Sequence, residues 1–97
     1  MTFDDFNRSL EGEAPPDELD LTLKALWHDA KGHWEHAHEL VQSGGEGDEA
    51  WIHAYLHRKE GDEGNARYWY ARAEQPVPQE PLKDEWRIIV ETLLTHR

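Results

Sequence analysis

The chain has 97 residues, of which 37% are hydrophobic, and its 21 Asp and Glu against 10 Lys and Arg give a formal net charge of −11. This length is typical of one domain, and the negative charge disfavours generic nucleic-acid binding because it repels the phosphate backbone. Cys is absent from the sequence, which excludes a disulfide framework, a thiol nucleophile and a Cys-based zinc site.

No apolar run approaches the ~20 residues of a membrane span, and the acidic N-terminus lacks the basic-then-apolar order of a signal peptide. We therefore expect residues 1–97 to form a single cytoplasmic domain without a membrane partner.

Residues 1–17 are predicted to form an acidic arm. Thr2 and Asp5 have the spacing of a capping box, and apolar residues recur after them at helical spacing, which predicts a short helix over residues 3–10. The next stretch, EGEAPPD, contains Gly, two Pro and three acids, so it is predicted to be a connector. Two Phe side chains of the arm are expected to pack against the core.

The first helical hairpin is predicted over residues 18–43. From Asp17 onward the apolar residues follow the spacing of an amphipathic helix, and Gly32 ends it because glycine tolerates the left-handed backbone of a helix terminus. A second helix then continues to about Gln42. The apolar positions of the first helix are Leu19, Leu23, Leu26, Trp27 and Ala30.

A second hairpin is predicted over residues 48–75, after the glycine-rich break SGGEG at 43–47. Asp48 is the predicted N-cap of its first helix. Gly61 is predicted to end that helix, and Asp62 to begin the next one.

Prolines separate the second hairpin from the last helix. Pro76 and Pro78 predict an extended connection over residues 75–81, and Pro81 suits the first position of a capping helix over residues 81–96. No segment alternates apolar and polar residues as a strand does. The predicted fold is therefore all-α, with about five helices in stacked antiparallel hairpins and a C-terminal capping helix. The apolar stripe of that helix contains Leu82, Trp86, Ile89, Val90 and Leu93.

The two hairpins repeat a common frame of small residues. When Gly32 is aligned with Gly61, alanines also coincide in each helix of the pair, which would let the helices approach closely. Hairpins of this kind cannot bury their apolar faces alone, so consecutive pairs are expected to stack. In this register Ala25, His28 and Ala37 align with Ala54, His57 and Ala66.

This frame resembles the tetratricopeptide repeat, and residues 48–78 match it best through the small residues, Gly61 and the closing Pro78. The resemblance implies that the first helix of each pair lines a groove that holds an extended peptide. In this chain that groove would present Trp51, Tyr55, Arg58 and Lys59, with Leu19, Thr22, Leu26 and Asp29 from the first hairpin. His28 and His57 stand where the family has Tyr, so they are interpreted as packing residues.

Residues 51–73 carry four basic side chains against three acidic ones, within a strongly acidic chain, and they are rich in aromatic residues. Arg, Tyr and Trp dominate binding energy at interfaces. The leading hypothesis is therefore a non-catalytic adaptor module that binds a protein or an acidic peptide. The alternative is that the aromatic residues belong to the core and the Arg side chains cover them. The predicted binding residues are Trp51, Tyr55, Arg58, Lys59 and Arg67.

Two further function classes stay open. A compact domain of this charge suits an inhibitor or nucleic-acid mimic that occupies the basic groove of a partner. A metal-binding protein is suggested by the seven His residues, with HWEHAH at 33–38 and with His53 and His57 at the i, i+4 spacing that clasps a metal. His33 and His36 are the members of HWEHAH that share a helix face.

Neither enzymatic activity nor a cofactor is predicted. The Ser and Thr residues lie outside any nucleophile-elbow context, and no glycine-rich loop follows a strand. The histidines are expected to have structural or surface roles with weak zinc or nickel affinity, so no specific metal site is predicted. Exposed aromatic residues favour a homodimer.

Overall fold

The structure, a computed structural model, describes residues 1–96, and these form six α-helices without any strand. The prediction of an all-α fold is confirmed. No helix within residues 1–96 is both long and apolar enough to cross a membrane. The helices are α1 (Phe3–Ser9), α2 (Leu21–Ala30), α3 (Trp34–Val41), α4 (Gly47–Glu60), α5 (Glu63–Ala73) and α6 (Leu82–Thr95).

Local sequence signals set several helix ends. The hydroxyl of Thr2 accepts from the backbone N–H of Asp5 at 3.1 Å, and the carboxylate of Asp5 accepts from the backbone N–H of Thr2 at 3.2 Å. Gly32 and Gly61 have φ angles of 87° and 92°, which are left-handed conformations that only glycine adopts without strain. The side chain of Asp62 accepts from the N–H group at the third position of α5. The capping box, both glycine stops and the Asp62 cap are thus confirmed.

Two predicted helix starts were wrong. Helix α2 begins four residues after Asp17, because Asp20 is its N-cap and accepts from the backbone N–H of Leu23 at 3.1 Å. Helix α4 begins at Gly47, and the N-cap position is taken by the extended backbone of Glu46. Asp48 instead lies in the first turn, where its negative charge still favours the positive end of the helix dipole.

The four helices α2 to α5 form two hairpins that pack against each other through α4. Helix α2 contacts α3, α4 contacts α5, and α4 also contacts both α2 and α3. The alanines of the repeated frame are at most 3% exposed, so small side chains stand where the helices lie close together. These alanines are Ala25, Ala37, Ala54 and Ala66.

Helix α6 covers the face that the first helices of the two hairpins share. It contacts α1, α2 and α4, and its Ile89 and Val90 are fully buried. The indole N–H of Trp86 donates to the backbone carbonyl of Leu26 on α2 at 3.1 Å. The face on which the sequence analysis expected a bound peptide is therefore occupied by the chain's own last helix.

Candidate functional site: a buried histidine cluster

Three of the five predicted binding residues, Tyr55, Arg58 and Lys59, lie in a polar network of the fold, and a fourth, Trp51, belongs to the hydrophobic core. Trp51 and Tyr55 are 8% and 2% exposed, and the Tyr55 hydroxyl donates to the buried carboxylate of Asp29 at 3.0 Å. Lys59 pairs with the same carboxylate, at 3.0 Å from Nζ to Oδ1. Tyr55 and Lys59, which were predicted to face a peptide, thus fasten α4 to α2.

A second part of this network fastens α6 to α4 and α5. Arg58 donates to the carboxylate of Glu85 at 2.8 Å, and the hydroxyl of Tyr70 donates to the other oxygen of that carboxylate. Glu85 is only 3% exposed, and its burial raises the pKa of its carboxyl group, against the opposing effect of the Tyr70 and Arg58 hydrogen bonds. Arg67 is exposed on α5 and forms no hydrogen bond or ion pair with the rest of residues 1–96.

The structure brings together three histidines that are separate in the sequence. His38 on α3 and His53 and His57 on α4 each offer a ring nitrogen, and these nitrogens all lie within 4.8 Å of one another. The Nε2 atoms of His38 and His53 are 3.0 Å apart. We call these three residues the histidine cluster.

Helical periodicity and helix packing create this cluster. His53 and His57 are one turn apart and therefore lie on the same face of α4. Helix α3 packs against α4, and its His38 ring meets the other two with centroid distances of 4.7 Å and 5.3 Å. His53 is 5% exposed and His57 is 8% exposed, so the cluster is largely shielded from water.

Two tryptophans fix the orientation of the rings. Trp34 stacks on His38 with a centroid distance of 5.0 Å, and Trp69 stacks on His53 at 4.1 Å. The indole N–H of Trp34 donates to the backbone carbonyl of Leu56 at 2.8 Å, which holds this tryptophan in place. The rings of the cluster are therefore positioned by packing before any ligand arrives.

Burial favours the neutral form of two of the three imidazoles, His53 and His38. Burial and the neighbouring imidazoles lower the pKa of His53 to about 4, and burial also lowers the pKa of His38. Neutral imidazole is the form that binds a metal ion. The Nδ1 atom of His57 lies 2.8 Å from a carboxylate oxygen of Glu60, an arrangement that typically orients a metal-binding histidine from outside the coordination shell.

One polar atom of the cluster is left without a partner. The Nδ1 atom of His53 is buried and has no hydrogen bond. In the His38–His53 contact one Nε2 donates and the other accepts, but neither choice gives Nδ1 of His53 a partner. Buried polar atoms without partners are uncommon in folded proteins, and the described residues contain a second one, Nδ1 of His28, outside the cluster.

Three imidazole nitrogens form a donor set for zinc and related transition metals. Zn²⁺ binds His nitrogen at about 2.0–2.1 Å in tetrahedral geometry, which places neighbouring ligand atoms about 3.3 Å apart. The His38–His53 separation of 3.0 Å is already close to this value. The three ring nitrogens lie within 4.8 Å of one another, so a His57 nitrogen near that limit would have to move closer to the other two in order to bind the same ion. A three-histidine site also leaves a fourth coordination position open.

The sequence identified the members of this cluster only in part. The i, i+4 pair His53 and His57 was recognised, whereas His38 was noted only as a neighbour of His33 and His36. These last two are exposed and lie outside the cluster, and His36 stacks on His28 with a centroid distance of 4.1 Å. Finding the third ligand requires knowledge of how α3 packs on α4.

Comparison of the chain with protein-family models, curated protein sequences and solved structures finds no match. The resemblance to the tetratricopeptide repeat therefore stays a prediction.

Proposed function

We propose that the protein binds one transition-metal ion, with Zn²⁺ as the best-suited ion, through His38, His53 and His57. The observation that supports this proposal is the meeting of two buried imidazoles, His53 and His57, and one half-buried imidazole, His38, whose ring nitrogens lie within 4.8 Å of one another. This takes up the metal-binding alternative of the sequence analysis, with His38 in place of His33 and His36.

Packing alone does not explain why three histidines meet at this place in the fold. Leucine or phenylalanine would fill the same space without the free-energy cost of removing polar ring nitrogens from water. A metal ion replaces the His38–His53 hydrogen bond with two stronger contacts and uses the lone pair of a third ring.

The donor set also decides the class of metal. Imidazole nitrogen suits Zn²⁺, Co²⁺, Ni²⁺ and Cu²⁺, whereas Mg²⁺ and Ca²⁺ prefer carboxylate and carbonyl oxygen. The bound ion would join α3 to α4 and would stabilise the folded chain by about 2.7 kcal/mol at a free metal concentration of one hundred times Kd.

Zinc titration of the full chain, purified without a histidine tag, tests the proposal. Isothermal titration calorimetry should show one zinc per chain with Kd on the order of 1 µM or below, weaker than thiolate sites because Cys is absent. His53→Gln should weaken binding about 100-fold or more. Glu60→Gln, which removes only the orienting carboxylate, should weaken it about tenfold.

The matched control is the double variant His33→Gln, His36→Gln, which removes two exposed histidines outside the cluster. It should bind zinc as the unmodified chain does. The proposal fails if zinc binding survives in the His53→Gln protein, or if the control loses it instead. Circular dichroism on each variant shows whether the helices are intact.

The adaptor role predicted from the sequence depends on Trp51, Tyr55, Arg58 and Lys59. Because these side chains pack or pair with α2 and α6, the geometry favours metal binding ahead of peptide capture on that face.

A further inference from the structure

A groove separate from the histidine cluster opens between α1, α2, α4 and α6. Its volume is about 410 Å³, within the range of small-molecule sites in proteins. Apolar side chains contribute much of its lining, and two lysines also border it. These residues are Leu10, Ala30, Leu82, Trp86, Lys59 and Lys83.

The charges that border the groove leave an excess of one positive charge. The buried carboxylate of Asp29 accepts from Tyr55 through one oxygen and from Lys59 through the other, so it is neutralised and its oxygens are already engaged. Lys83 is exposed and forms no ion pair within residues 1–96. The local excess of positive charge favours an anionic ligand in this groove, although the chain as a whole is negative.

We propose that this groove binds a small apolar monocarboxylate, such as a medium-chain fatty acid. The hydrocarbon part would lie against Leu10, Leu82 and Trp86, where apolar surface would be removed from water. The carboxylate would pair with Lys83 at the rim. A cationic ligand is disfavoured because both oxygens of Asp29 already accept hydrogen bonds.

Titration with octanoate, followed by two-dimensional nitrogen–proton NMR of the full chain, tests this proposal. The indole N–H of Trp86 is a direct reporter because this ring lines the groove and donates to the carbonyl of Leu26 at 3.1 Å. Octanoate should shift the Trp86 indole signal saturably, with Kd on the order of 1 mM for a ligand of this size. Octylammonium has the same hydrocarbon chain with the opposite charge, and it should bind at least about threefold more weakly.

Lys83→Glu should weaken octanoate binding by about three- to tenfold, as expected for reversing one solvent-exposed charge contact. Arg67→Glu makes the same charge change on α5, outside the groove, and should leave the affinity unchanged. Because both positions are exposed, neither change disturbs the core. The proposal is overturned if octanoate causes no saturable shift, if octylammonium binds equally well, or if the two variants weaken binding to the same extent.

Discussion

Acid should destabilise the metal-free protein through His53. The pKa of this residue is 6.5 in an exposed chain and about 4 in the folded protein, because burial and the imidazoles of His38 and His57 disfavour its charged form. One pKa unit corresponds to about 1.4 kcal/mol. The shift therefore represents roughly 3 kcal/mol of unfolding free energy, a large share of the ~5–15 kcal/mol that stabilises a typical domain.

The direction of this effect depends on which state, folded or unfolded, binds a proton more readily at His53. Between pH 6.5 and about 4 the unfolded chain protonates His53 and the folded chain does not, so stability falls as the pH decreases through this window. The lowered pKa of His38 acts in the same direction. Glu85 acts in the opposite direction, because its raised pKa lets the folded state bind a proton more readily than the unfolded state.

The effect is measured by urea unfolding, monitored by circular dichroism with EDTA present throughout. The unfolding curve is recorded at half-unit pH intervals from pH 7.5 to 4. His53→Phe keeps an aromatic ring against Trp69 but removes the titrating group, so the loss of stability on acidification should shrink by up to about 1.4 kcal/mol per pH unit. His36→Gln, an exposed histidine, should leave the original slope nearly unchanged. An identical slope in the unmodified and His53→Phe proteins would show that His53 is not held neutral by the fold.

Two further predictions concern the elements that hold the histidine cluster and α6 in place. Gly61→Val should lower the unfolding free energy by about 1 kcal/mol or more, because φ at this turn is +92°. Gly64→Ala should raise the unfolding free energy by about 0.5–1 kcal/mol, because Gly64 lies within α5 and an added Cβ there meets no atom within 4 Å. The opposite ranking in urea unfolding would refute the assigned turn. Arg58→Ala leaves the buried carboxylate of Glu85 without its cation and should lower the unfolding free energy by about 2–3 kcal/mol. This is less than the loss for a fully buried ion pair, because the Arg58 side chain is 23% exposed. A loss below about 0.5 kcal/mol would mean that this ion pair does not hold α6 on α4.

Helix boundaries with a short-range cause could be predicted from the sequence. The capping box at Thr2 and the turn at Gly61 each depend on residues only a few positions apart, and both are present. The start of α2 was placed too early because Leu19 fits the apolar spacing of the helix and is buried, although it precedes the first helical residue, Leu21. In the structure, a turn in which Leu19 donates to the carbonyl of Pro16 precedes the helix, and Asp20 supplies the cap.

Tertiary contacts were harder to anticipate. The apolar stripe of α6 predicted a capping helix, but a stripe does not say which face it covers. Once α6 packs on α2 and α4, Tyr55 and Arg58 become internal partners instead of surface residues. The histidine cluster required the same kind of information, because only the packing of α3 on α4 places His38 beside His53.

Zinc-edge X-ray absorption spectroscopy on the tag-free chain loaded with one equivalent of Zn²⁺ tests metal binding by the histidine cluster most directly. We expect scattering from three imidazole nitrogens at about 2.0–2.1 Å and from one oxygen ligand, with the imidazole contribution reduced in His53→Gln. A first shell of five or six oxygens, or an imidazole signal that His53→Gln leaves intact, would contradict the assignment of the site.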